Sequence, residues 1–266
     1  LFLHLVAKLA GHVEMHVDFD SAHLGDIHVL VGTLSGTSPG LTLNGSFNLP
    51  LNFDAYTDIS LLSADPVLSE DVHRLFLQLT GLGRTAKLRR MVQAPFTLED
   101  ETIAAIEGET AAAREGRPAR IVARMNALSE PRVIRALYQA SRAGVPIELL
   151  VRGICCLRPG VVGVSETIRV RSIVGRFLEH ARVFWFHAGG AERVLASSAD
   201  WMTRNLAHRV EVAFEIDDER LKRRVIEECL EIYMADNAQA WALDAEGRYA
   251  RLDPGREPRR AAQEQL

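Results

Sequence analysis

The chain has 266 residues, of which 47% are hydrophobic and 25% are charged, proportions typical of a globular protein that buries a core. A formal net charge of −4 excludes a global attraction to nucleic acid or anionic membranes, so any anion site must be a local cluster of cations. The three cysteines do not make a disulfide framework, and the sequence has no signal peptide or membrane-spanning apolar run, so we expect a reducing, cytoplasmic compartment.

The first 54 residues show no sustained hydrophobic period. The stretch "VGTLSGTSPGLTLNGSFNLPLNF" is rich in Gly, Ser, Thr, Asn and Pro, which predicts irregular structure that packs poorly against the rest. His12 and His16 have the spacing of a zinc pair on a helix, but no further ligand accompanies them, and scattered surface histidines are the favoured interpretation. Because the chain begins at Leu1, inside an apolar stretch, we expect a fragment of a longer protein.

From Tyr56 onward the pattern becomes regular and predicts helices and strands. In chain order these are a helix capped by Ser69 and stopped at Gly81, a helix capped by Thr97, a strand over 119–128, a helix capped by Ser129, and a strand over 145–153. The strand–helix–strand order predicts a crossover between parallel neighbouring strands.

The second half begins with an Arg- and Gly-rich segment over 152–176, which predicts a loop. The elements predicted after it are the strands "ARVFWF" and "RVLASSA" joined at "HAGGAE", the strand "RVEVAFEID", and the last long helix "DERLKRRVIEECLEIYMADN". The tail "PGREPRRAAQEQL" has the composition of a solvated, disordered segment.

Arginines are concentrated around this loop. Six of them fall within 31 residues of sequence: Arg152, Arg158, Arg169, Arg171, Arg176 and Arg182. The planar guanidinium fork matches phosphate oxygens, and a loop at the carboxyl end of a strand is where α/β folds usually place ligands. The alternative interpretation is a solvated surface laced with salt bridges.

His180 leads from this loop into a buried strand. Arg182 lies two residues on, so both side chains project from one face of an extended chain. Ser197, Ser198 and Asp200 follow after the hairpin, with Asn205 shortly beyond. A histidine beside a cation, with hydroxyls and an amide nearby, can bind a tetrahedral phosphate and serve as nucleophile or proton carrier. The alternative is a core histidine bonded to a backbone carbonyl.

These motifs resemble the C-terminal part of bacterial polyphosphate kinase. The resemblance is carried by "VRGICCLRPG", "RSIVGRFLEH" and "SADWM", is supported by "YTDISLLSADP" and "APFTL", and covers about 55 to 250. It implies an α/β fold of the phospholipase D-like type, with a mixed sheet flanked by helices. The implied domains are a partial or degenerate first domain over 1–102, with 1–54 matching poorly, a complete second domain over 103–250, and a disordered tail over 251–266.

The resemblance also implies a reaction, the reversible transfer of the terminal phosphate of ATP to inorganic polyphosphate through a phosphohistidine. It implies ATP, ADP and polyphosphate as partners without nucleic acid, Mg²⁺ as cofactor, and a cytoplasmic homo-oligomer, and it leaves membrane association of the parent enzyme open. No residue of this sequence can be assigned as a magnesium ligand from the motifs.

Carried over by motif, the nucleotide contacts are Tyr56, Arg152 and His180, with His180 assisting transfer. The position of the phosphohistidine falls near His23, although no basic residue follows at position 25 and the motifs "LKTHCK" and "GTGNYN" are absent. The residues expected to line a phosphate and polyphosphate channel are Arg158, Arg169, Arg171, Arg176, Arg182, Ser198 and Asn205.

Three functions are therefore weighed. The leading one is a polyphosphate kinase fragment that does not itself synthesise polyphosphate at the rate of the family. The second is a non-catalytic remnant that binds polyphosphate or nucleotide. The third is a phospholipase D-like phosphodiesterase, which would need two histidine motifs and so could act only as a symmetric dimer.

Overall fold

A computed structural model of the chain describes three strands before residue 52 and most residues from 56 to 265. The described residues are 16–24, 27–38, 41–51, 56–59, 61, 63, 65–81 and 87–265. The chain divides into two compact units between Arg89 and Arg90.

The first unit contains three antiparallel strands, β1 (His16–Leu24), β2 (Ile27–Ser38) and β3 (Leu41–Leu51), paired in that order. The prediction of irregular structure over 1–54 is therefore wrong for these strands. The overlooked signal is in β3, where apolar residues occupy alternate positions on both sides of Gly45, the period of a strand. His12 lies outside the described residues, so its pairing with His16 stays a prediction.

The first unit also contains β4 (Tyr56–Thr57) and α1 (Pro66–Leu79). The helix begins one turn before the predicted cap, because the Asp65 side chain accepts a hydrogen bond from Leu68 N at 2.7 Å and Pro66 has the fixed φ of a first helical turn. Gly81, with φ of 73°, follows the helix end as predicted.

The second unit, from Arg90, holds the remaining elements. Its strands are β5 (Met91–Ala94), β6 (Ile121–Met125), β7 (Ile147–Val151), β8 (Ile168–Ile173), β9 (Leu178–Glu179), β10 (Val183–Phe186), β11 (Arg193–Ser197), β12 (Glu211–Glu215), β13 (Ala240–Leu243) and β14 (Tyr249–Arg251). Its helices are α2 (Leu98–Arg114), α3 (Pro131–Arg142), α4 (Glu219–Ile226), α5 (Ile232–Met234) and α6 (Ala262–Gln265), with π-helical turns at Arg204–His208 and Glu227–Glu231 and a 3-10 turn at Ala188–Gly190.

Nine strands of the second unit form one mixed sheet in the order β14-β13-β8-β7-β6-β10-β11-β12-β5. β6, β7 and β8 are parallel, and the other neighbours are antiparallel. Direct pairing of β6 with β7, from Ile121 opposite Ile147 to Met125 opposite Val151, confirms the predicted parallel neighbours. The predicted fold class, a mixed sheet flanked by helices, is confirmed.

The main core lies between this sheet and the pair α2 and α3. Alternate residues of β6, Ile121, Ala123 and Met125, are fully buried in it, because successive side chains of a strand point to opposite faces. Helix residues in the same core include Ile106, Val133 and Leu137. Arg124 faces the other side of the sheet, where it donates to the Cys229 carbonyl of the second π-helical turn at 3.0 Å.

Two predicted boundaries are corrected. A domain start at position 103 would cut α2, whereas the second unit begins at Arg90 and includes β5, which pairs with β12. The tail over 251–266 is not a solvated segment throughout, because Ala261, Ala262 and Gln263 are buried. The apolar alanines and the short α6 give this segment a face that packs, and the flanking arginines obscured it in the sequence.

The remaining corrections are local. The segment 152–176, predicted as a loop, contains β8, in which buried Ile168 and Val170 alternate with Arg169 and Arg171. α3 is capped by Glu130, one residue after the predicted cap, through a bond from Arg132 N at 3.2 Å. The last long helix is divided into α4 and α5 by a π-helical turn. In the part of the chain that the structure describes, no helix combines the length and apolar character needed to cross a bilayer.

The buried position of Leu137 generates a test of this core. Because its side chain is fully buried between α3 and the sheet, Leu137→Ala should lower the free energy of unfolding by about 2–5 kcal/mol. Urea denaturation of the purified chain measures this. The control is Val162→Ala, at a residue that is 83% exposed, which should stay within about 0.5 kcal/mol of the unchanged chain. Equal losses in the two variants would contradict the core assignment.

Candidate functional site

Five segments of the second unit meet at one end of the mixed sheet, along the line where its strands begin or finish. The parallel strands β6 and β7 end there, at Asn126 and Arg152. The antiparallel β10 begins there after Arg182, β11 ends there at Ser197, and β12 begins there at Glu211. These five residues define what we call the site edge. The sheet topology therefore brings together residues that are up to 85 positions apart in the sequence, from Asn126 to Glu211.

A buried ion pair joins two of these segments. The Arg182 guanidinium donates from Nε to Asp200 Oδ1 at 3.2 Å and from Nη2 to Asp200 Oδ2 at 3.1 Å. Both side chains are about nine-tenths buried, with 10% and 9% of their surface exposed. Asp200 Oδ1 also accepts the backbone N–H of Asn126 at 2.7 Å and of Ala127 at 3.3 Å. The carboxylate therefore fixes the Arg182 fork to the end of β6.

His180 lies against the far side of this guanidinium. Arg182 Nη1 is 3.3 Å from His180 Nδ1, 3.2 Å from His180 Nε2 and 3.0 Å from the His180 carbonyl oxygen. A guanidinium carries only donors, so a hydrogen bond to a ring nitrogen uses the lone pair of that nitrogen. The two side chains are therefore in contact, and the imidazole is half-buried at the site edge.

Arg152 reaches the same place from the end of β7. Its Nη1 donates to the carbonyl oxygen of Glu179, the residue before His180, at 2.8 Å. With its side-chain amide in the orientation that satisfies its neighbours, Asn126 donates to the same carbonyl at 2.6 Å and accepts from Arg182 Nη2 at 2.5 Å. Arg152 thus reaches the backbone of the residue directly before His180, although 28 positions separate these two predicted nucleotide contacts.

A second buried pair supports the segment that carries His180. The Glu179 carboxylate forms a salt bridge with Arg124, whose guanidinium carbon also lies 3.7 Å from the centre of the Tyr233 ring. Arg124 and Glu179 are both buried. Arg124 adds its bond to the Cys229 carbonyl, so the charges of this pair are enclosed by hydrogen bonds and an aromatic face.

Ser198 and Asn205 meet a third carboxylate at the site edge. Ser198 Oγ donates to Glu211 Oε2 at 2.5 Å, and Asn205 Nδ2 donates to Glu211 Oε1 at 2.8 Å. Arg209 Nη1 lies 3.9 Å from the same Glu211 Oε1. The predicted channel residues Ser198 and Asn205 are therefore neighbours, joined by Glu211.

The other predicted channel residues lie apart. Arg158 is exposed and donates to the Ala245 carbonyl in the turn between β13 and β14. Arg169, at the start of β8, has 74% of its side chain exposed, and its Nη1 lies 3.5 Å from Glu148 Oε1. Arg171 donates a hydrogen bond to the backbone carbonyl of Met234, the last residue of α5.

Arg176 is exposed in the segment after β8, with its guanidinium carbon 5.4 Å from the centre of the Phe177 ring. Among the seven predicted channel residues, those at the site edge are thus Arg182, Ser198 and Asn205. A channel through all seven stays a prediction.

The first unit holds the two remaining predicted site residues. Tyr56 opens β4, and nothing about its side chain is described. His23 lies on β1 with His28 as its partner on β2. Their roles in nucleotide binding and phosphorylation stay predictions.

Several residues of the site were missed as site residues from the sequence. Asp200 was noted in "SSADW" but not assigned, and Asn126, Arg124 and Glu211 were not singled out. Asn126 could have been found, since it follows a buried strand in a crossover, where ligand-site residues commonly lie. Arg124 and Glu211 carry no local signal, because only the tertiary fold shows which charges are buried together.

The residues that the structure describes contain no group of three or more His, Cys, Asp or Glu side chains placed to hold a metal ion. Mg²⁺ as a cofactor stays a prediction of the resemblance. We therefore assign no residue to magnesium and derive no step through it.

Comparison with known proteins places this geometry in a family. The family model described as polyphosphate kinase C-terminal domain 2 matches residues 91–263. The chain belongs to the polyphosphate kinase family. The resemblance found in the motifs is thereby confirmed, and the family model starts at β5, which agrees with the unit boundary and not with position 103.

Individual relatives agree with this assignment. The chain is 56% identical over 206 residues to polyphosphate kinase of Paraburkholderia phytofirmans, covering 77% of this chain and 30% of the relative. A crystal structure of polyphosphate kinase from Porphyromonas gingivalis matches with 32% identity and a TM-score of 0.75, over 90% of this chain and 38% of that one. A phospholipase D family member, NUC from Salmonella typhimurium, is more distant, with 14% identity and a TM-score of 0.38 over 52% of this chain. The chain spans about 30% of the length of the curated relatives it matches.

The Arg182–Asp200 pair generates a test of how the site is held. Asp200→Asn leaves the buried guanidinium without its carboxylate, so the free energy of unfolding should fall by about 3–5 kcal/mol. Denaturant unfolding of the purified chain measures this. Asp244→Asn removes a carboxylate of the same type from a surface pair with Arg248 and should leave the unfolding midpoint nearly unchanged. An Asp200→Asn variant as stable as the Asp244→Asn control would show that the pair contributes little.

The loop after β7 gives a second test, through the adjacent Cys155 and Cys156. Burial raises the pKa of the Cys155 thiol to about 11, whereas Cys156 is exposed. At pH 8 only about one Cys155 thiol in a thousand is then the reactive thiolate, a fraction that rises with pH. Iodoacetamide at pH 8 should modify Cys156 well before Cys155, as followed by peptide mass spectrometry. Faster modification of Cys155 would mean that the loop is open around it.

Proposed function

We propose that the site edge binds the phosphate groups of ATP and polyphosphate, in the C-terminal part of an enzyme that reversibly transfers the terminal phosphate of ATP to polyphosphate through a phosphohistidine. The observation that carries the proposal is the contact of His180 with Arg182, together with the bond from Arg152 to the carbonyl of the residue directly before His180. Membership of the polyphosphate kinase family supports it independently.

The two arginines differ in what they offer a phosphate. Arg182 is paired with the Asp200 carboxylate, so much of its charge is already neutralised in place. Arg152 donates instead to a neutral carbonyl, a bond that leaves its positive charge available to an anion. Guanidinium binds phosphate oxygens through two parallel donors, and charge-assisted bonds of this kind are stronger than neutral ones. Arg152 is therefore the proposed phosphate-binding cation, and Arg182 the group that holds the imidazole.

His180 is the proposed assisting group. Its imidazole lies half-buried and within reach of Arg182, a place from which it can donate a hydrogen bond or a proton to a transferring phosphate. Phosphoryl transfer needs little covalent chemistry from the protein, since positioning and neutralisation of the oxygens supply most of the acceleration. The phosphohistidine itself is proposed at His23, and the nucleotide contact at Tyr56, on the motif resemblance alone.

The same resemblance is the only support for Mg²⁺, for homo-oligomerisation and for a cytoplasmic location of the parent enzyme. These remain proposals, as does the wider channel of arginines. Arg158 and Arg169 would join it only if a long polyphosphate continued from the site edge over α3 and β8.

Binding of polyphosphate by the purified 266-residue chain tests the proposal. Arg152→Gln should weaken retention of polyphosphate of defined length by about tenfold or more, because a charged hydrogen-bond donor is lost. Fluorescence anisotropy with labelled polyphosphate measures the affinity. Binding by the unchanged chain should also weaken with added salt, since the contacts are largely ionic.

The matched control is Arg248→Gln. Arg248 is exposed and bonded to Asp244 in the turn between β13 and β14. This turn lies at the opposite end of the strands from the site, because β13 runs antiparallel to β8. The Arg248→Gln variant should bind polyphosphate with the same affinity as the unchanged chain. If both substitutions weaken polyphosphate binding equally, the attraction is non-specific. If Arg152→Gln has no effect on the affinity, Arg152 does not bind the phosphate.

Synthesis is measured in the same preparation, with ATP and magnesium. The chain should retain polyphosphate without making it at the rate of the family, because His23 lacks a basic partner at position 25. Robust synthesis that is lost in His23→Ala would identify His23 as the nucleophile. Synthesis that depends only on His180 would show this histidine acting alone.

A further inference from the structure

The carboxyl-terminal segment contacts the stretch that carries His180. Gln263, in α6, accepts the backbone N–H of Phe177 at 2.9 Å through Oε1 and donates to the Phe177 carbonyl at 2.8 Å through Nε2. The two bonds use both backbone groups of one residue, as a neighbouring strand would. They also fix the orientation of the amide, since only one end can accept and only the other can donate.

The amide has a third partner. Nε2 also donates to the Glu179 carboxylate, the group that pairs with Arg124, and Gln263 itself is 8% exposed. Gln263 is thus bonded to Phe177 and to Glu179, the residue directly before His180. Because Glu179 also gives its carbonyl to Arg152, any movement of this short stretch would move the imidazole and Arg152 together.

The segment that presents Gln263 is itself held firmly. The buried Asp236 accepts the N–H of Ala262 at 2.7 Å. Asn237 and Arg260 exchange hydrogen bonds, with Asn237 N donating to the Arg260 carbonyl at 3.0 Å and Arg260 N donating to Asn237 Oδ1 at 2.8 Å. These bonds make α6 a fixed support for the Gln263 amide.

Gly175 lies against the amide of Gln263. A Cβ built at Gly175 would collide with Oε1 of Gln263 and would lie 2.7 Å from Nε2 of Gln239. Position 175 therefore needs a residue without a side chain for the amide of Gln263 to reach Phe177. Since the colliding groups, the amides of Gln263 and Gln239, are the ends of flexible side chains, an added methyl group would displace them and leave the backbone in place.

We propose that Gln263 is a positioning residue. It holds the segment 177–179 in place, so that His180 and Arg152 keep their relative positions at the site edge. This inference rests on the proposed function for its consequence in phosphate binding. It assigns a role in the site to α6, through its bonds to the residues that precede His180.

The test compares Gln263→Ala and Gly175→Ala with the control Gln265→Ala, which removes an exposed glutamine from the same short helix. The two test variants should speed amide exchange at Phe177 by about tenfold, because the bond to its N–H is lost. Both should shift the NMR signals of the His180 ring and weaken polyphosphate binding by about tenfold. The control should change none of these.

Each result is decisive. Unchanged exchange at Phe177 in both test variants would overturn the contact, and faster exchange with unmoved His180 signals would overturn the positioning role. Because Gly175→Ala keeps Gln263 intact, it decides the outcome if Gln263→Ala fails to fold. If the unchanged chain binds no polyphosphate, the proposed function fails, and the His180 signals, which need no ligand, still decide the role of Gln263.

Discussion

The site depends on the Asp200 carboxylate, which is bonded to Arg182 and to the backbone at the end of β6. Burying two opposite charges costs desolvation, which is offset only where geometry is good and every remaining donor is satisfied. Here the fork of Arg182 uses Nε and Nη2 on Asp200 and Nη1 on His180. The pair is therefore less a source of net stability than a means of fixing where one guanidinium points.

Sheet topology supplies the place where this pair acts. The polar ends of five strands lie together at the site edge: those of the parallel β6 and β7 and of the antiparallel β10, β11 and β12. The alternating apolar residues of these strands are buried on the faces of the sheet. Loops that leave such an edge can carry charges without entering the core. Two buried carboxylates, Glu179 and Asp200, lie where the strands end, and each holds one arginine, Arg124 or Arg182.

The sequence predicted the parts of this arrangement that depend on local patterns. Apolar runs and a helix between them were enough to place β6 and β7 side by side, and the motif resemblance was enough to select Arg152 and His180. β8 was missed because Arg169 and Arg171 alternate with apolar residues and made a strand resemble a charged loop. Gln263 was missed because a polar residue in a short, arginine-flanked tail has no local sign of burial, and its partner Phe177 is 86 positions away.

The group to which each arginine is hydrogen-bonded distinguishes the arginines that hold the site together from those that could bind a ligand. Arg124 and Arg182 face carboxylates inside the protein, and a phosphate approaching either one would compete with a fixed anion. Arg152 is held by a carbonyl dipole, which orients the guanidinium and leaves its charge for an incoming anion. The arginines that cluster in the sequence therefore belong to two groups. Counting all of them overestimates how many could bind phosphate, because some are paired with carboxylates inside the protein. The imidazole contacts Arg182, the arginine that a carboxylate holds, and directly follows Glu179, whose carbonyl holds Arg152.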